Sequence, residues 1–267
     1  MAKWVPFPHA GEFNYTTASL KKQWTRLHAG DCEPLPQSAA QWEAWVAFHN
    51  GDFHKAVEVG LKAGGGGVNA ANKATAIYAT YLESKEKNRL DLFLEVAERA
   101  ALLQREHPSQ PNAWYWEAYA LGRYSQGISV TRALAEGLGT RVRKALETTI
   151  KLAPRHADAH IALAAFHAEV IDKVGALIGG MTYGARKDVG LRLYRTALNL
   201  NPHSAIAMME YANGLVILEG DKRMAEATKL YEEAALCEPA DAMERLDVEM
   251  AKAELLEGSN SSLEVYP

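Results

Sequence analysis

The chain has 267 residues, 48% of them apolar and 23% charged, with a formal net charge of -4. That composition belongs to a folded protein and offers no overall basic field for nucleic acid. No apolar run reaches the roughly 18 residues of a membrane span, and the only cysteines, Cys32 and Cys237, lie too far apart in sequence to suggest a disulfide framework.

The two cysteines read as free thiols. With no signal segment or lipidation motif in view, the expected location is cytoplasmic. Residues 1–37 read as an arm and a helix, and the arm Met1–Gly11 is extended and apolar around Trp4, Pro6, Phe7 and Pro8. Ser38 and Gln41 then form a capping-box pattern ahead of Trp42, Trp45, Val46 and His49 on one helical face. Asn50-Gly51-Asp52 ends that helix, and Phe53, Ala56, Val57, Leu61 and Ala63 mark a second. Gly64 to Gly67 cannot continue a helix at ordinary cost and reads as a hinge. It is no phosphate loop, because no strand precedes it and no Lys-Ser or Lys-Thr follows. Further helices are expected at about 70–87, 89–106, 111–125, 139–153, 155–173, 186–200, 203–219, 222–237 and 241–257. Pro108, Pro154, Pro202 and Pro239 fall at their junctions, where a proline suits the start of the next helix.

Three of these prolines end similar phrases: Leu146, Thr149 and Pro154; Tyr194, Ala197 and Pro202; Tyr231, Ala234 and Pro239. Each resembles the second helix of a tetratricopeptide repeat, in which a large residue is followed three later by a small one and five later by proline. First-helix positions match in part: Trp114 with Ala118, His160 with Leu163 and Ala164, and Met208 with Tyr211 and Ala212. The resemblance covers 38–239, more strongly from 108 onward. It implies an all-α, tetratricopeptide-like solenoid of antiparallel helix pairs with a shared core. Small residues such as Ala164, Ala197, Ala212 and Ala234 would let helices approach, with Tyr194 and Tyr231 filling the space between them. The implied organisation is degenerate repeats over 38–107, tetratricopeptide-like repeats over 108–239, a capping helix over 240–257 and a flexible tail over 258–267.

The junction prolines are 46, 48 and 37 residues apart, against about 34 for the standard unit. Two hairpins are therefore lengthened, by insertions at 125–140 and 173–187. The second insertion is apolar for a loop, and Leu177, Ile178, Met181 and Tyr183 form a candidate inserted edge for homo-oligomer contact. Packing back onto the solenoid is the competing expectation. Such elongated hairpins are similar to the T-component of tripartite ATP-independent periplasmic transporters and to the regulator-of-microtubule-dynamics family. The first likeness implies a helper of a substrate-binding protein.

No pattern indicates catalysis. His156, His160 and His167 share nearly one helical face, but the last two fall at packing positions of the repeat. A metal-dependent hydrolase is therefore a distant reading, and neither metal nor cofactor is expected. The family pattern projects Asn112, Tyr115, Tyr119, Arg123, Asp158, Glu169, Met209 and Asn213 onto a concave groove. Tyr and Arg are enriched at binding hot spots. The resulting expectation is a non-enzymatic scaffold holding a protein or peptide segment, unless the arm Met1–Gly11 fills the groove itself. The alternative is a small-molecule or lipid site covered by the Gly-rich loop 174–184.

Overall fold

A computed structural model describes residues 4–263, with side chains described through Glu257. Among the described residues the regular structure is entirely helical. Helix α1 spans Thr17–Leu27, α2 Ala39–His49, α3 Phe53–Ala63, α4 Gly67–Tyr81 and α5 Glu86–Glu106. They are followed by α6 (Pro111–Gln126), α7 (Val130–Ala135), α8 (Leu138–Leu152), α9 (Ala157–Val174) and α10 (Ala176–Tyr183). The remainder are α11 (Lys187–Leu200), α12 (Ala205–Glu219), a 3-10 turn (Asp221–Arg223), α13 (Met224–Ala235) and α14 (Ala242–Leu263).

Local chemistry sets many of the ends. Thr16 caps α1 in a reciprocal box with Ser19. Ser38 caps α2 by accepting from the Gln41 amide, but the Gln41 side chain accepts from Gln37 N at 2.8 Å, one residue earlier than the sequence pattern implies. Gly64 and Gly65 turn the chain with φ of 64° and 52°, which glycine adopts without a Cβ clash. The glycine run therefore reads differently in the structure. Gly67 already belongs to α4, because Gly60 and Gly67 let α3 and α4 cross with almost no gap. A Cβ on Gly60 would sit 2.5 Å from Gly67 O.

The chain divides into two compact units, 1–159 and 160–267. In the first, α3 packs between α2 and α4, α5 between α4 and α6, and α8 against α6. Helix α4 touches four other helices, which explains its small side chains: Ala70, Ala71, Ala74, Ala76 and Ala79 are all buried. In the second unit, Ile161, Ala164 and Ala168 of α9 meet Leu191, Tyr194 and Ala197 of α11, and Ala207, Tyr211 and Leu215 of α12. Ala212 and Ala234 are fully buried as well. Gly214 makes room for Tyr194, whose ring lies where a Cβ would stand.

Both inserted segments contain short helices, α7 and α10. In α10 the glycine that argued for a loop has a packing role, since Gly179 is buried against Val170. Helix α14 continues to Leu263, past the expected end at 257. The last four residues of the expected tail, 264–267, lie outside the described residues.

Candidate functional site

The first helix of each pair in unit 1 (α2, α4, α6 and the start of α9) presents one face to α1 and to the loop that follows it. Trp24 on α1 stacks on His28 and meets Trp42, Trp45 and His49 of α2 edge-on. The chain then crosses α4 and α6 as His28-Ala29-Gly30-Asp31-Cys32-Glu33. His28, Gly30, Asp31 and Glu33 are buried, while Cys32 turns outward with φ 50°.

Each buried polar group of this loop meets a side chain of the helical face. Asp31 Oδ2 accepts from Lys73 Nζ at 2.7 Å, and its Oδ1 lies 2.8 Å from His28 Nδ1. His28 Nε2 in turn is 3.2 Å from His49 Nε2. The Glu33 carboxyl accepts from Asn69 Nδ2 at 3.1 and 3.2 Å and from Asn112 Nδ2 at 2.5 Å. Asn112 Nδ2 also donates to Asp31 O at 3.0 Å. Its oxygen is 2.7 Å from His156 Nε2, and His156 Nδ1 accepts from the Ala159 amide. This pattern places the imidazole hydrogen on Nε2. The backbone closes the other margin, where Asp158 N donates to Gly30 O at 3.0 Å. Also on α4, both amide atoms of Asn72 and Oδ1 of Asn69 are buried without a hydrogen-bond partner among the described residues.

Burial dominates the electrostatics. Asp31 is held well below the usual carboxylate range by His28 and Lys73, which overcome its desolvation. His28 is lowered to about 4, because burial outweighs the pull of Asp31. Glu33 is raised to about 8 by burial and then by Asp31. At neutral pH a neutral His28 and a protonated Glu33 therefore flank the Asp31 carboxylate, which lies 2.7 Å from Lys73 Nζ. The Cys32 thiol is pushed up to about 11, by burial first and then by Asp31 and Asp158, which makes it a poor nucleophile.

The N-terminal arm takes a different route from this loop. Trp4 stacks on Tyr78 at 3.9 Å, Val5 N donates to the Tyr78 hydroxyl, and Phe7 fits over Gly51 beside Phe53. Tyr78 lies about 180° around α4 from Asn69, so Trp4 and Val5 occupy the far side of that helix. The first three residues of the arm are outside the described residues.

The sequence-derived groove positions fall into three groups. Asn112, Tyr115 and Met209 are buried at 1%, 5% and 1% exposure. Tyr119, Arg123 and Asp158 in unit 1 are half-buried; the Tyr119 hydroxyl bonds Thr80 at 2.9 Å and Arg123 lies over the Tyr119 ring. In unit 2, Glu169 is half-buried, and Asn213 is exposed and 2.8 Å from the Tyr231 hydroxyl, which also reaches Glu254. On α10, Leu177, Ile178 and Met181 are 77%, 58% and 82% exposed, and Tyr183 is half-buried. His156 belongs to the polar cluster of unit 1. His160 and His167 are buried in unit 2, and His167 Nδ1 accepts from the Arg186 amide.

Sequence reasoning missed His28, Asp31, Glu33, Asn69 and Lys73. A signal was present: Asn69, Asn72 and Lys73 stand within five residues of an alanine-rich helix, and a buried lysine requires a partner.

No family model matches the chain, and no curated protein matches it. Among solved structures, the crystal structure of a thermophilic TPR protein from Thermus thermophilus is similar, with a TM-score of 0.55 and 15% identity over 80% of this chain and 97% of that one. At that identity the likeness is one of architecture, and the architecture is a tetratricopeptide-like helical repeat.

Proposed function

We propose that the protein is a non-enzymatic interaction module that grips a segment of a partner protein on first-helix side chains. The observation that carries this reading is that unit 1 already grips such a segment of its own. Asn112 and Asp158 hold the loop backbone at Asp31 O and Gly30 O, while Asn69, Lys73 and Asn112 hold its side chains. In unit 1 the partner meets the margin of the covered face, at Tyr119, Arg123 and Asp158. In unit 2, Glu169 and Asn213 are the corresponding positions, whereas Met209 is packed in the core with Ala234 and Val248. The polar cluster, though rich in titratable groups, is covered, and its outward-facing thiol is disfavoured as a thiolate.

The test is capture of partners from the native cell with wild-type protein, Tyr119→Ala and Arg123→Glu, with helicity checked by circular dichroism. The reading expects a captured protein whose recovery falls about tenfold or more in either variant, as hot-spot truncation does. Unchanged recovery in both variants contradicts it.

A further inference from the structure

Asp31 and Glu33 are buried to 2% and 5% exposure in one loop. Lys73 and His28 both bond to Asp31. The Glu33 carboxyl hydrogen-bonds to the uncharged amides of Asn69 and Asn112, and the cation that acts on it, Lys73, is already bonded to Asp31. A buried carboxylate needs a charged partner or neutralisation. A second anion two residues from Asp31 would leave this cover with uncompensated negative charge.

We propose that residues 28–36 form a strap held on the first-helix face by one proton on Glu33, and that loss of this proton lifts the strap and uncovers Asn69, Lys73, Asn112 and Tyr115. The charged and titratable groups around it come from every element beneath: His49 on α2, Lys73 on α4, Tyr115 on α6, and His156 and Asp158 at the start of α9. The strap adds His28, Asp31 and Cys32, with Arg155 acting on the last.

Closure has a defined sense with pH. Glu33 is raised from 4.5 to about 8, so the proton favours the closed strap. Closure is fullest below about 4.5, weakens tenfold per pH unit above it and levels off beyond about 8. His28 acts in the opposite sense. Lowered from 6.5 to about 4, it weakens closure as pH falls through that interval. Asp31, held well below 3.8, adds to the acid side. The strap is therefore tightest between about 4.5 and 6.5, and from 6.5 to 8 the Glu33 proton sets the slope. Because Glu33 is half-ionised in the closed strap at pH 8, and His28 half-protonated in the open one at pH 6.5, the closed-to-open ratio falls about tenfold over that interval.

This inference stands on the geometry of the loop and requires no partner. Its test is amide hydrogen exchange of the full chain at pH 6.5 and pH 8, corrected for intrinsic rates. The reporters are the amides of Cys32, Glu33 and Asp158, bonded to His28 O, Asp31 Oδ1 and Gly30 O. The expected result is about a tenfold loss of protection at these amides in wild type and no loss in Glu33→Gln. Equal protection of the strap at both pH values in wild type overturns the proposal. So does an equal loss in Glu33→Gln. Should Glu33→Gln fail to fold, the wild-type comparison of the strap at the two pH values decides alone.

Discussion

The side-chain amide of Asn112 donates to the carbonyl of Asp31 at 3.0 Å, joining positions 81 residues apart. Through that bond and its neighbours, a helix and loop from the start of the chain become part of the repeat.

The α3–α4 crossing depends on two glycines. Alanine at Gly60 gains up to about 1 kcal/mol of helix propensity. Its Cβ, however, would stand 2.5 Å from the backbone oxygen of Gly67, which cannot rotate away. Overpacking of this kind costs about 1–3 kcal/mol, so the clash wins. Urea unfolding of Gly60→Ala should show net destabilisation; equal or greater stability would mean that the helices are further apart than described.

His28 and Glu33 oppose each other between pH 6.5 and 4.5. As pH falls, protonating the depressed His28 removes stability, while protonating the raised Glu33 adds it. Replacing His28 by Gln leaves the Glu33 contribution unopposed. The stability of His28→Gln relative to wild type should therefore rise by roughly 2–3 kcal/mol over those two pH units. Thermal or urea melts at both ends of the interval measure it, and a constant difference between the two proteins would contradict the assignment.

The apolar side of α10 points outward, so its residues contribute little to the fold. Met181→Lys, at a position 82% exposed, should alter unfolding free energy by no more than about 0.5 kcal/mol. If the inserted edge joins copies of the chain, the same change lowers the association state in analytical ultracentrifugation. A large loss of stability would place Met181 in a core.

The legible part of this protein was local and periodic. Tyr194, Ala197 and Pro202 declared a helix pair because the large, small and terminating positions fall within one helix and its end. The interior glycines misled in two places, Gly67 and Gly179. Both lie in helices, where close approach rather than chain reversal requires glycine. The strap was not legible. Its partners lie 36 to 81 residues away, and nothing periodic links His28, Asp31 and Glu33 to Asn69, Lys73 and Asn112. Lys73 was the one local anomaly. The groove positions Asn112 and Tyr115 were projected from the family pattern, which contains no strap, so their burial could not be anticipated from it.

The most direct measurement is a double-mutant cycle on folding stability between Glu33 and Asn112 at pH 6, using Glu33→Ala, Asn112→Ala and the pair. A strap held by this contact gives a coupling of about 1–3 kcal/mol. Effects that simply add, within about 0.5 kcal/mol, would show that Glu33 does not rest on Asn112 and would contradict the account.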